Sequence, residues 1–249
     1  MRCIPILAVA ALVAACSSPE PQQMKVLDFT QTGEQLQAEM SFLSQIDGTV
    51  VKHGPLRSFH SNGRLAAEVT YDAGELEGAW QQWHSNGQLA AEGSFSNGRR
   101  TGRWGEWYSD GTKKSESHYL NDRLHGEYAK WTPQGQQLLL ASFSRGQPDG
   151  WWISWWANGK KRLDGRFVLG QAYGRWTSYH RSGERAGEGA YLEGKRSGLW
   201  VLWDEEGALL AKGAFKEDRP TGHLEVFDES EKPRTADSLF TFRFDDQDN

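Results

Sequence analysis

Cysteine is nearly missing from this chain: Cys3 and Cys16 are the only two among 249 residues. Both lie in a leader-like segment, so no disulfide is expected and stability must come from packing. A basic excess is missing too, with 28 Lys and Arg against 33 Asp and Glu. Nucleic-acid binders need clustered cations to displace counterions from phosphates, so no nucleic-acid partner is expected. The apolar run from Ile4 to Val13 is too short to cross a bilayer as a helix. The sequence also lacks a nucleophile elbow, a phosphate-binding glycine loop and a metalloprotease helix motif. No cofactor and no catalytic residue are therefore expected.

What the N-terminus does contain is the layout of an export signal: basic Arg2, the apolar run, then small Ala14 and Ala15. Val13-Ala14-Ala15-Cys16 resembles the bacterial lipobox. That resemblance implies cleavage before Cys16, lipid on its thiol and acylation of its new amine, which would anchor the chain to a lipid bilayer. Ser17 at the second mature position looks like an outer-membrane signal, placing the protein in the envelope and facing the periplasm. The next residues, rich in Ser, Pro and Gln, read as an extended tether. The expected organisation is a signal peptide at 1–15, lipidated Cys16 with a tether at 16–25, and a degenerate capping repeat at 26–53. Tandem repeats follow at 54–230, then a C-terminal cap strand with an acidic tail at 231–249.

Glycine and tryptophan, in contrast, are abundant, at 28 and 12 residues. Gly54, Gly78, Gly102, Gly126, Gly150, Gly174, Gly198 and Gly222 recur every 24 residues without an insertion. Two places after them stand Leu56, Trp80, Trp104, Tyr128, Trp152, Trp176, Trp200 and Leu224. Five places after stand Phe59, Trp83, Trp107, Trp131, Trp155, Tyr179, Trp203 and Phe227, so ten of the twelve tryptophans fall in two columns. A second glycine series, Gly63 to Gly207, often follows Asn or Asp, which is hairpin-turn chemistry. Another turn later in each repeat carries Gly74, Gly98, Gly146, Gly170 or Gly194, with Asp122 and Asp218 as substitutes.

Each repeat thus reads as two strands and two turns, with no helical periodicity. One hairpin cannot bury its aromatic face alone, and stacked neighbours can. The expected fold is all-β: an elongated, single-layer antiparallel sheet of tandem 24-residue β-hairpins. The fifteenth place is small in most repeats (Gly93, Ser117, Ala141, Gly165, Gly189, Gly213), leaving room for a ring across the strand. The two aromatic columns have opposite parity, so a bulge would be needed to bring them to one face.

The pattern G-x-W-x-x-W-x-x-x-G, followed by an aromatic and a closing glycine, resembles the MORN repeat, in the bacterial variant that carries an antitoxin label. The resemblance covers about residues 29 to 230. It implies a grooved β-sheet for protein, lipid or other ligand contacts, usually without catalysis.

Candidate contact residues come from the same columns. Glu68, Glu92, Glu116, Asp164 and Glu188 recur at one place in the repeat, interrupted by Leu140 and Lys212. Beside Trp80, Trp104 and Trp107 they could line an aromatic groove; the alternative is a solvated face of cross-strand charge pairs. Trp151 and Trp156 stand outside the two main columns and are further candidates, unless one of them widens the core. His60, His84 and His180 share a column whose spacing of roughly 10 Å is too wide for a shared zinc, so no metal is expected. These features favour a membrane-anchored, non-enzymatic scaffold holding a protein or envelope polymer. An immunity-type lipoprotein neutralising a toxin is one alternative, and an envelope glycan hydrolase using two of the carboxylates is another.

Overall fold

The computed structural model describes residues 22–29, 36–45 and 48–227. The expected signal peptide, the lipidation site Cys16 and the C-terminal cap at 231–249 lie outside the described residues. Among the described residues there are eighteen strands and no helix. They are β1 (Gln22–Phe29), β2 (Leu36–Ser44), β3 (Val50–Phe59), β4 (Leu65–Asp72), β5 (Glu75–Trp83) and β6 (Leu89–Ser96). Next come β7 (Arg99–Trp107), β8 (Lys113–Leu120), β9 (Arg123–Trp131), β10 (Gln137–Ser144), β11 (Gln147–Trp155) and β12 (Lys161–Val168). The last are β13 (Gln171–Tyr179), β14 (Arg185–Leu192), β15 (Lys195–Trp203), β16 (Leu209–Lys216), β17 (Arg219–Pro220) and β18 (Glu225–Val226). The fold is the expected all-β array of tandem antiparallel hairpins. Gln22 to Lys25, expected in the tether, are instead the first residues of β1 and pair with β2 from Gln22 opposite Ser44 onward.

The chain divides into two compact units. The first takes in the described residues up to Lys113 together with Tyr119–Asp122; the second takes in Lys114–His118 and the described residues from Arg123 on. In the first, β1 to β7 pair each with the next, antiparallel. In the second, β9 to β17 do the same, and β18 returns beside β16.

Turn chemistry sets this geometry. In the first turn of a repeat, His60 N–H donates to the Arg64 carbonyl and Gly63 N–H to the His60 carbonyl, each at 2.8 Å, with Gly63 at φ 79°. The second turn is a two-residue connection: Asn97 and Gly98 lie between the paired Ser96 and Arg99 with φ 49° and 72°. Two successive positive φ angles define the tight hairpin turn that matches strand twist, which is why Asn-Gly suits it.

The recurrent glycine has a different task. Between β6 and β7, Glu92 faces Gly105 but Ser94 faces Thr101, so β7 carries extra residues around Gly102, whose φ is 67°. The same shift recurs between β12 and β13 and between β14 and β15, at Gly174 and Gly198. These are β-bulges, and a positive φ there costs a glycine nothing sterically. The bulge delivers the following tryptophan onto the small residue of the neighbouring strand. A methyl group at Gly93 would lie 2.2 Å from the Trp104 ring, and one at Gly189 would lie 2.1 Å from Trp200. The small fifteenth place therefore does what its size suggested.

In the second unit these rings form the core. Tyr128, Phe143, Trp152, Phe167, Trp176, Tyr191, Trp200 and Phe215 follow one another edge to face, with successive centroids 5.0 to 6.2 Å apart and 6.4 Å at the last step. Trp176 and Trp200 are 0% exposed. Each edge-to-face pair contributes about 0.5–1.5 kcal/mol beyond the area it buries. In the first unit Trp80 stacks on Trp104 at 5.3 Å across Gly93, with Phe95 and Tyr119 edge-on to Trp104.

Candidate functional site

The ladder of rings occupies one side of the strands; the side chains between its members occupy the other. The expected bulge exists, but it precedes both aromatic columns and leaves them apart. Trp104 covers Gly93, whereas Trp107 covers Gly105, where an added methyl would lie 2.4 Å from its ring. Gly105 pairs with Glu92, the neighbour of Gly93 in β6, and neighbouring strand residues point to opposite faces. Glu92 therefore shares a face with Trp107 and not with Trp80 or Trp104. This corrects the expected groove: the carboxylates are not beside those two tryptophans, which are consumed in packing.

The carboxylate face is instead laced by charge pairs. Arg57 Nη2 lies 2.7 Å from Glu68 Oε1, directly across the β3–β4 pairing. Arg175 donates to Glu188, with Arg185 a further 3.6 Å away. Lys161 Nζ lies 3.4 Å from Asp164, and burial together with that nearby carboxylate pushes the Tyr179 hydroxyl pKa up. Where Lys212 breaks the acidic series the pair is inverted, with Glu225 3.0 Å away on β18. Glu116 sits on β8, and Glu92 lies between Gln81 and Gly105.

The histidine column has a role that sequence reasoning missed. The Nε2 atoms of His60, His84 and His180 lie 2.8, 2.9 and 2.8 Å from the carbonyls of Trp83, Trp107 and Trp203, one repeat further along. Trp156 occupies the same column and donates its indole N–H to the Tyr179 carbonyl at 3.1 Å. Asn62, Asn86 and Asn158 add a parallel series, each donating to the next repeat's turn carbonyl at 2.6–2.8 Å. Trp156 is thus a turn residue that ties repeats together, with the guanidinium carbons of Arg162 and Arg181 at 5.2 and 4.8 Å from its ring. Only the recurrence of a ring N–H donor at that place hinted at this.

Trp151 is a different case. It is 64% exposed, in the bulge beside Gly150. It pairs directly with Arg166 on β12, and Arg166 pairs directly with Tyr173 on β13, itself 46% exposed. Arg166 stands between Gly165 and Phe167, both on the ladder side, so it faces away from the core with Trp151 and Tyr173 on the strands to either side. Directly paired residues have Cβ atoms about 5 Å apart, so the Cβ atoms of Trp151 and Tyr173 stand roughly 10 Å from each other with that of Arg166 between. Arg57, Arg175, Arg185 and Arg196 all have carboxylate partners; among the described residues Arg166 has none. Exposed Leu199 lies further along this face, and exposed Leu169 and Leu192 mark the adjoining turn edge.

Residues 52–73 and 76–97, which span most of β3 to β6, match the family model described as MORN repeat variant. These two repeats are MORN-variant repeats. The same 24-residue period and hairpin geometry continue from the MORN-variant pair to β16. In architecture the chain is a tandem-repeat protein that carries MORN-variant repeats. No curated protein matches the chain. A solved structure described as Crystal Structure of TcdB2-TccC3-Cdc42 aligns with 10% identity over 85% of this chain and 15% of that one, at a TM-score of 0.16. So slight a likeness carries no argument about function.

Proposed function

We propose that this protein is a membrane-anchored, non-enzymatic binding protein of the bacterial envelope, held by lipid on Cys16 and facing the periplasm of the outer membrane. Its array of repeats serves as the mount for a contact surface. The observation that carries the binding role is the contrast between Trp176 and Trp200, fully buried in the ladder, and Trp151, which presents most of its indole to solvent. Burying an indole fully removes roughly 150–250 Å² from water, so one left outside such a core is available to a partner. The aromatic contact surface is accordingly the outer face at Trp151 and Tyr173, rather than the side of Trp80 and Trp104.

The carboxylate face supports binding over hydrolysis. Equivalent carboxylates two strands apart stand roughly 10 Å from each other, beyond a retaining glycosidase pair and at the limit of an inverting one. Glu68 and Glu188 are moreover neutralised by arginines.

A photo-crosslinking side chain in place of Trp151, in intact cells, is expected to capture one discrete partner from the envelope. Cys16→Ala should release the protein from the membrane fraction. Absence of any adduct at position 151, or turnover of peptidoglycan by the purified chain, would overturn the reading. A captured toxin would redirect it to the immunity role.

A further inference from the structure

We propose that Arg166, set between Trp151 and Tyr173, anchors a carboxylate of an extended protein segment whose apolar residues rest on the two rings. The proposal rests on the reading that this face is the contact surface, and it names the partner's chemistry.

Three positions of the repeat depart from their neighbours together. The place held by Trp151 carries Ala79, Arg103 and Glu127 in preceding repeats; that of Arg166 carries Ser94, His118 and Ser142; that of Tyr173 carries Thr101, His125 and Asp149. Antiparallel pairing places the three in one row across β11, β12 and β13. Packing does not explain them, because Trp151 and Tyr173 are exposed and the core lies on the other side.

Charge complementarity indicates what belongs there. A guanidinium presents a planar fork of donors that suits a carboxylate through two parallel hydrogen bonds. Asp164, one row along on β12, is already beside Lys161, and Glu188 is engaged by Arg175, so neither supplies the missing anion. The anion must arrive with the partner. Apolar rings on both sides shield the pair from water and strengthen it, the arrangement in which arginine and aromatic residues dominate binding energy.

Aliphatic neighbours decide between a protein and a sugar polymer. Glycans stack on flat rings and keep their hydroxyls hydrated, which gives no use to exposed Leu169, Leu192 and Leu199. A protein segment with an acidic residue flanked by large apolar ones uses the arginine, the rings and the leucines together.

Random peptides displayed on phage would be selected against the full chain in detergent micelles. The enriched peptides are expected to carry Asp or Glu between large apolar residues. A synthetic copy should bind with an affinity that falls about tenfold or more on Arg166→Gln or Trp151→Ala. Arg166→Lys should recover only part of it, and Arg57→Gln, which breaks an ion pair in the other unit, should leave it unchanged. Unaltered near-ultraviolet circular dichroism would show that each variant is folded. Enriched peptides without acidic residues, or binding indifferent to Arg166 and Trp151, would overturn the proposal. Soluble peptidoglycan fragments or vesicles with anionic headgroups that bind in a Trp151-dependent way, where peptides do not, would overturn this partner class and leave the contact surface standing. Failure of every probe, together with no crosslink at position 151, would remove the surface as well.

Discussion

Gly165 and Trp176 stand in van der Waals contact: a methyl group on Gly165 would lie 2.0 Å from the indole, closer than any real carbon contact. The ring is 0% exposed because the neighbouring strand has no side chain at that point.

Gly165→Ala should therefore destabilise the second unit by about 1–3 kcal/mol through overpacking. Urea unfolding followed by tryptophan fluorescence would measure it. Gly165→Ala should cost less in a Trp176→Leu background than in the parent protein, since a smaller side chain accommodates the methyl. Equal midpoints for Gly165→Ala and the parent protein would contradict the contact.

Two tryptophans should respond oppositely to the same truncation. Trp200→Ala removes a fully buried ring and should cost about 3–5 kcal/mol. Trp151→Ala removes an exposed one and should stay within about 0.5 kcal/mol. Thermal unfolding of both variants checks the pair, and comparable losses would mean that Trp151 belongs to the core.

His84→Ala removes a bond to the Trp107 carbonyl in the next repeat. The expected cost is about 0.5–1.5 kcal/mol, the usual net worth of such a bond. Amide hydrogen exchange should accelerate around the turns at residues 84–88 and 108–112 while the paired amides of β5 and β7 stay protected. Unchanged exchange there would show that the histidine column holds nothing together.

Acid should weaken one specific turn. The Arg100 backbone N–H donates to the Asp122 carboxylate at 3.0 Å, and this bond first, with the Arg100 side chain and the charges of Arg100 and Arg99, holds the pKa below the ordinary aspartate value. A depressed folded-state pKa means the stabilisation is complete above the unfolded value and disappears as pH falls through the folded one. The stability difference between the parent and Asp122→Asn should accordingly be present at neutral pH and shrink in acid below the normal aspartate range. Urea midpoints across that range would test it, and a difference independent of pH would refute the assignment.

Much of the architecture was readable in the residues. The 24-residue spacing, the Asn-Gly turns and the small residues at Gly93, Gly165 and Gly189 each state a local steric requirement, and local requirements survive translation into structure. Asp122 and Asp218 were also recognisable as glycine substitutes, because aspartate tolerates the left-handed backbone that they adopt at φ 66° and 68°. What the residues left open was facing. The alternation of side chains places Glu92 opposite Trp104 only once the pairing of Glu92 with Gly105 is known, and that register depends on a bulge at Gly102.

The sequence by itself determined that this chain forms stacked hairpins, since a glycine must turn and an indole must be covered wherever they occur. Only the tertiary structure decided which aromatics are spent on the core and which remain outside. Trp176 and Trp151 have the same side chain, and what separates them is the residue across the strand: Gly165 admits one ring, while Arg166 faces away and leaves the other in water.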